Sequence, residues 1–137
     1  MIVLDASVVI KFFLDEGPSS LKAMEYLRFH LTGRETVAAP DLMPYEVCNT
    51  LVFKSHLSDE KVSEGVTSLF SFELSLVPLE LTDYLKAAHL ARRFHTTVYD
   101  AAYVHLAEKL HCDLITADEQ LWQKTQALPF VRLLKNV

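Results

Sequence analysis

Apolar residues in this chain form short unbroken aliphatic runs that alternate with longer segments whose apolar positions recur three and four residues apart. The runs read as strands and the periodic segments as helices. Ile2-Val3-Leu4 is aliphatic without alternation, as expected of a strand buried on both faces. Thr36-Val37-Ala38-Ala39, Leu76-Val77-Pro78-Leu79, Asp113-Leu114-Ile115-Thr116 and Phe130-Val131-Arg132-Leu133 are the other strands, the third of them edge-like.

A helical pattern follows the first strand at once. Between Ser20 and Leu31, Leu21, Met24 and Leu27 repeat against Lys22, Glu25 and Arg28, and Gly33 is a natural stop. Pro40-Asp41 turns the chain into another helix, with Asp41 as its expected N-cap and Pro44 tolerated in the first turn. Ser58-Asp59-Glu60 opens the next, with Val62, Val66, Leu69 and Phe70 on one face. A helix from Leu81 or Thr82 to about Phe94 precedes one beginning at Val98. There Tyr99, Tyr103, Leu106 and Leu110 form a stripe, and Ala101, Ala102 and Ala107 add small packing surfaces. Glu119 to about Thr125 is a short helix.

This alternation predicts an α/β fold: a mostly parallel central sheet of about five strands with helices on both faces, in a single domain over residues 1–137. Right-handed crossovers then gather the carboxyl ends of the strands along one edge. Asp5 and Asp118 fall just past strand ends, and Glu46 and Asp100 begin helices reached from the same side. All four are therefore expected at the crevice where open α/β sheets bind ligands.

Composition narrows the functional classes. Half of the 137 residues are apolar and only three are Gly, which argues against disorder. Nothing is long and apolar enough to span a bilayer, and the start lacks a signal-peptide pattern, so a cytoplasmic protein without a membrane partner is expected. Cys48 and Cys112 have no close spacing and read most simply as buried reduced thiols, with a disulfide the alternative. A net charge of −5 argues against gripping nucleic acid through a general basic surface, although four carboxylates in one site would account for most of that excess.

Four converging carboxylates need neutralising. At separations near ~5 Å and an effective dielectric of about 20, each pair would repel by roughly 3 kcal/mol. No Lys or Arg is adjacent to Asp5, Glu46, Asp100 or Asp118 in sequence, which leaves protonation or hard divalent cations. Mg²⁺ or Mn²⁺ suits such an all-oxygen set, and a carboxylate-held metal pair is phosphodiester-cleaving machinery. Ser7 and Thr116 are placed to hydrogen-bond the carboxylates or a metal-bound water.

At these residues the chain resembles the PIN-domain family, and within it the VapC-type toxins. The resemblance rests on Asp5-x-Ser7 after the first strand, helical Glu46 followed by Asn49, Val98-Tyr99-Asp100-Ala101-Ala102-Tyr103, and Thr116-x-Asp118 after a strand. It spans almost the full length in order. It implies an acidic Mg²⁺ or Mn²⁺ pocket with Asp5, Glu46, Asp100 and Asp118 as catalytic metal ligands, supported by Ser7, Asn49 and Thr116. It further implies endoribonuclease activity on single-stranded RNA, a homodimer, and a small VapB-type antitoxin that wraps the dimer and occludes the pocket, with DNA reached only through that antitoxin. Asp118 is carried over alone, without Glu119 or Gln120 after it.

Each acid also has an ordinary role open to it. Asp5 is placed to cap the helix that follows it and Asp100 to cap its own helix, Glu46 to sit in a first turn where the helix dipole favours an anion, and Asp118 to precede a short helix. Ser7, Asn49 and Thr116 read as structural hydrogen-bonders rather than catalytic groups. The six histidines lack metal-ligand spacing and read as surface or core residues. Arg92 and Arg93, with Lys11, Lys54 and Lys124, are candidates for RNA phosphate, although a solvated helix face is the simpler account of the arginine pair, while Tyr99 and Tyr103 read as core or dimer packing. Two other functions share the architecture. One is an aspartyl-phosphate protein of receiver or phosphatase type, which Ser7 disfavours because those phosphatases carry a second Asp there. The other is a non-catalytic dimeric module whose acidic pocket receives a partner's Arg.

Overall fold

The computed structural model describes residues 1–54 and 56–137. Its sheet has five strands, β1 (Ile2–Leu4), β2 (Val37–Pro40), β3 (Ser75–Val77), β4 (Leu114–Thr116) and β5 (Val131–Leu133), in the order β3-β2-β1-β4-β5. Every pairing is parallel, with Val3 opposite Ala38 on one side and Leu114 on the other. The expected mostly parallel sheet is thus wholly parallel. The central strands β1, β2 and β4 are buried at every position, which is why they read as unbroken aliphatic runs, and β3 is the half-exposed edge.

Seven α-helices join the strands among the described residues: α1 (Ala6–Val9), α2 (Pro18–Leu31), α3 (Met43–Phe53), α4 (Asp59–Ser71), α5 (Leu81–Phe94), α6 (Val98–Leu110) and α7 (Glu119–Lys124). The path moves outward from β1 to β2 to β3, then jumps back to β4. Right-handed crossovers therefore set α1–α4 over one face and α5–α6 over the other, and the order reverses between β1 and β4. Asp5 directly follows β1, and Thr116 ends β4, so both stand at that switch point.

Local chemistry explains most boundaries. Ser58 caps α4, its side chain accepting from Lys61 N. His95 and His111, both left-handed, end α5 and α6. Asp41 does not cap α3: the cap position falls on Leu42 without a side-chain bond, while Asp41 N donates to Val77 O at 3.1 Å. Tyr99 is 63% exposed, so the first buried member of the expected stripe of α6 is Tyr103; Val98 is exposed as well. Cys48 and Cys112 are free and half-exposed rather than buried. No helix among the described residues is long and apolar enough to cross a membrane.

Helices α5 and α6 approach closely because Ala87, Ala91 and Ala101 form their contact. A buried polar group fixes that pair. Asp83 Oδ1 accepts from His105 Nε2 at 2.8 Å, Lys109 Nζ donates to both Asp83 oxygens at 2.9 and 3.0 Å, and Glu80 N donates to Oδ2 at 3.0 Å. The Glu80 amide, then His105 and Lys109, hold the Asp83 carboxyl well below the usual carboxylate range. Asp83→Asn keeps an acceptor but loses the charge, and should cost about 1.5 kcal/mol in urea unfolding at neutral pH.

Candidate active site

Asp5 is 5% exposed, and its carboxylate does not cap α1. Instead Oδ2 accepts from Ser7 Oγ and from Thr116 Oγ1, each at 2.6 Å. Those hydroxyls also fasten the loop after β4: Ser7 Oγ accepts from Ala117 N at 2.9 Å, and Thr116 Oγ1 accepts from Asp118 N at 3.0 Å. One hydrogen-bonded cluster therefore joins the ends of β1 and β4.

The other acids are held from their own helices. Glu46 lies in the first turn of α3, and its Oε2 accepts from the Tyr103 hydroxyl of α6. Asp100 Oδ2 accepts from Thr96 Oγ1 at 2.8 Å, while Thr97, not Asp100, caps α6 by accepting from Asp100 N at 3.1 Å. Asp118 does cap its helix, with Oδ1 accepting from Gln120 N at 2.8 Å and Leu121 N at 3.1 Å. The capping role thus accounts for Asp118 but for neither Asp5 nor Asp100.

Among the described residues, each of the four carboxylates is bound by side chains or amides through a single oxygen. Asp5 Oδ1, Glu46 Oε1, Asp100 Oδ1 and Asp118 Oδ2 take no part in these bonds. Among the described residues none of the four is ion-paired, whereas Glu16, Asp83, Asp113 and Glu119 each are.

They do feel one another. Burial pushes Asp5 above the usual carboxylate range, the Ser7 and Thr116 hydroxyls pull it back, and the charges of Asp100 and Asp118 add to the rise. Burial likewise pushes Glu46 up to about 7, opposed by the Tyr103 hydrogen bond and reinforced by Asp5 and Asp100. Burial, then Glu46 and Asp5, hold the Tyr103 phenol far above its ordinary range, so its hydroxyl remains a donor. As the side chains lie, no three His, Cys, Asp or Glu among the described residues are grouped so as to hold a metal ion. The donor set nevertheless suits a hard divalent cation, with four carboxylates, one uncommitted oxygen on each, and no cationic side chain competing.

A family model described as PIN domain matches residues 2–127. The chain belongs to the PIN-domain family. It is 34% identical over 131 residues to Ribonuclease VapC3 of Pyrobaculum aerophilum, covering 93% of this chain and 96% of that protein. It is 35% identical over 126 residues to Ribonuclease VapC12 of Mycobacterium tuberculosis, covering 90% of this chain and 91% of that one. A toxin–antitoxin complex from Klebsiella pneumoniae superimposes with a TM-score of 0.71 over 98% of both chains at 14% identity, a likeness of fold.

Within this PIN domain the sequence reading gathers three of the supporting residues unevenly. Ser7 and Thr116 bond Asp5 directly, but Asn49 is exposed on α3 and joins none of these bonds. Thr96 and the Glu46 contact of Tyr103 were not foreseen, although both lie one helical turn from Asp100, at four residues before and three after it. Of the basic candidates, Lys11 is paired with Glu16 at 2.5 Å, with Lys54 3.5 Å from the same carboxylate. His105 is a core residue bound to Asp83.

Proposed function

We propose that this PIN domain is the ribonuclease toxin of a VapBC-type toxin–antitoxin pair, a Mg²⁺- or Mn²⁺-dependent endoribonuclease that cleaves single-stranded RNA. The observation that carries the reading is the mutual influence of the acids: the charges of Asp100 and Asp118 act on Asp5, those of Asp5 and Asp100 act on Glu46, none of the four is ion-paired among the described residues, and each keeps one oxygen outside the hydrogen bonds described above. Curated relatives of matching length named as ribonucleases support the substrate class.

In this reading Asp5, Glu46, Asp100 and Asp118 would hold the cation. Bound there, Mg²⁺ or Mn²⁺ would lower the pKa of a water and stabilise the charge on the phosphate oxygens. Asp5 is the most firmly held member, buried and bonded by two hydroxyls. Ser7 and Thr116 orient Asp5, and Thr116 also orients the loop carrying Asp118. Asn49, exposed beside Glu46, is free to contact the substrate.

A homodimer and an antitoxin complete the proposal, and exposed apolar side chains support both. Leu81, Tyr84, Leu85, Val98 and Tyr99 lie uncovered at the starts of α5 and α6. Leu21, Met24 and Leu31 line a groove of about 510 Å³ along α2. Such surfaces suit protein partners in a chain working in the cytoplasm, with DNA approached only through the antitoxin.

The test is cleavage of a single-stranded RNA mixture. Activity should require Mg²⁺ or Mn²⁺ and stop with EDTA. Cleavage that persists in EDTA would remove the metal role. Labelling of Asp5 by acetyl phosphate would indicate aspartyl-phosphate chemistry, and tight binding of an Arg-bearing peptide without turnover would indicate an interaction module.

A further inference from the structure

Tyr103 is the largest fully buried side chain of the chain, and its only polar atom donates to Glu46 Oε2. The two residues come from opposite layers. Tyr103 belongs to α6, which packs on α5, β1, β2 and β4, whereas Glu46 belongs to α3, which packs on α1 and α4. Among the described residues no other side-chain hydrogen bond or ion pair joins α3 to α6. The phenol therefore reaches past the carboxyl edge of the sheet and meets the one acid of the cluster carried by α3.

Glu46 needs such a partner more than the other three. Asp5, Asp100 and Asp118 are short side chains, each bonded to a hydroxyl or amide close by in its own segment, and Asp5 is held a second time by Thr116 of β4. Glu46 has a longer, more rotatable side chain and the repulsion of Asp5 and Asp100 acting on it, and the Tyr103 bond is what holds it. We propose that Tyr103 is a positioning residue: its hydroxyl occupies Glu46 Oε2 and so presents Oε1 to the divalent cation and fixes α3 to α6 across the site. This rests on the metal-dependent reading above.

Tyr103→Phe tests it, since the ring keeps its packing and only the hydroxyl is lost. Removing the partner of a metal ligand typically costs about 10–100-fold in metal affinity or activity. Mn²⁺ affinity by titration calorimetry should therefore fall about 10-fold, and kcat on RNA should fall with it while KM stays within about twofold. In a double-mutant cycle with Glu46→Gln, Tyr103→Phe should add no further loss of Mn²⁺ affinity, because the hydroxyl acts through the carboxylate. Additive losses would mark a merely structural tyrosine and overturn the proposal. Should Tyr103→Phe fail to fold, Tyr103→Met and Tyr103→Leu, which also lack a donor, would carry the same cycle. Wild-type binding of Mn²⁺ that Tyr103→Phe matches overturns this proposal alone, whereas a wild type that binds no Mn²⁺ overturns the metal reading and this proposal together.

Discussion

Asp5→Asn is expected to lower single-stranded RNA cleavage by roughly 10³-fold, well beyond the ~10–100-fold that follows loss of a group merely hydrogen-bonded to a metal ligand. The substitution is nearly isosteric. The asparagine carbonyl can still accept from Ser7 Oγ and Thr116 Oγ1, so the junction between β1 and β4 survives. The amide nitrogen then occupies the place of Asp5 Oδ1, where it offers hydrogens instead of a lone pair and carries no charge. Cation binding fails at the most constrained of the four acids, and the defect should appear as lost Mn²⁺ affinity as well as lost turnover. Thermal unfolding separates this from misfolding. In metal-free buffer at pH 8 the variant should unfold no earlier than the wild type, because burial already raises the proton affinity of Asp5 and the substitution removes a charge the fold disfavours. Activity within twofold of wild type would sink the assignment of Asp5.

Much of this site was legible in the sequence because its positions follow from topology. Once Ile2-Val3-Leu4 and Leu114-Ile115-Thr116 are buried parallel strands, the residues just beyond them lie on one edge, and Asp5 and Asp118 need no further information. The segments around Glu46 and Asp100 are likewise fixed by where α3 and α6 begin. What the sequence left open was decided by contacts between segments far apart. Asp5 and Asp118 precede helices and Asp100 lies in the first turn of one, so a capping role was open to each, and only the tertiary partners separate Asp118, which caps, from Asp5, which is held by Thr116 of another strand. Tyr103 was read as packing because a buried helical tyrosine usually is packing; its ring is, and the hydroxyl alone has the second role. Asn49, three positions after Glu46, is exposed in the fold and joins none of the hydrogen bonds around the acids. Asp41 failed as a cap because the chain makes its turn one residue later, at Leu42.

Metal-free protein should lose about 2 kcal/mol of stability between pH 5 and pH 8, and divalent cation should restore it. Glu46 moves from an ordinary 4.5 to about 7 in the folded chain, so the folded state binds its proton more tightly than the unfolded state does. The stability this contributes is complete below about pH 4.5 and disappears as pH rises through about 7. Asp5 is displaced in the same direction and adds to the fall. After allowing for the partial exposure of Glu46, the loss is about 2 kcal/mol, or a drop of about 7 °C in unfolding midpoint. Asp83 does not offset it, because its proton affinity is depressed and its contribution is already constant above about pH 5. A cation that binds the ionised cluster pulls the other way, giving about 2.7 kcal/mol at 100 times its dissociation constant. Midpoints measured with EDTA should therefore fall with pH, while those measured with Mn²⁺ should hold or rise, the gap widening through pH 7. Parallel curves would mean that the four carboxylates are neutralised by something other than metal, and the acidic cluster would lose its reason for lying at the switch point unpaired.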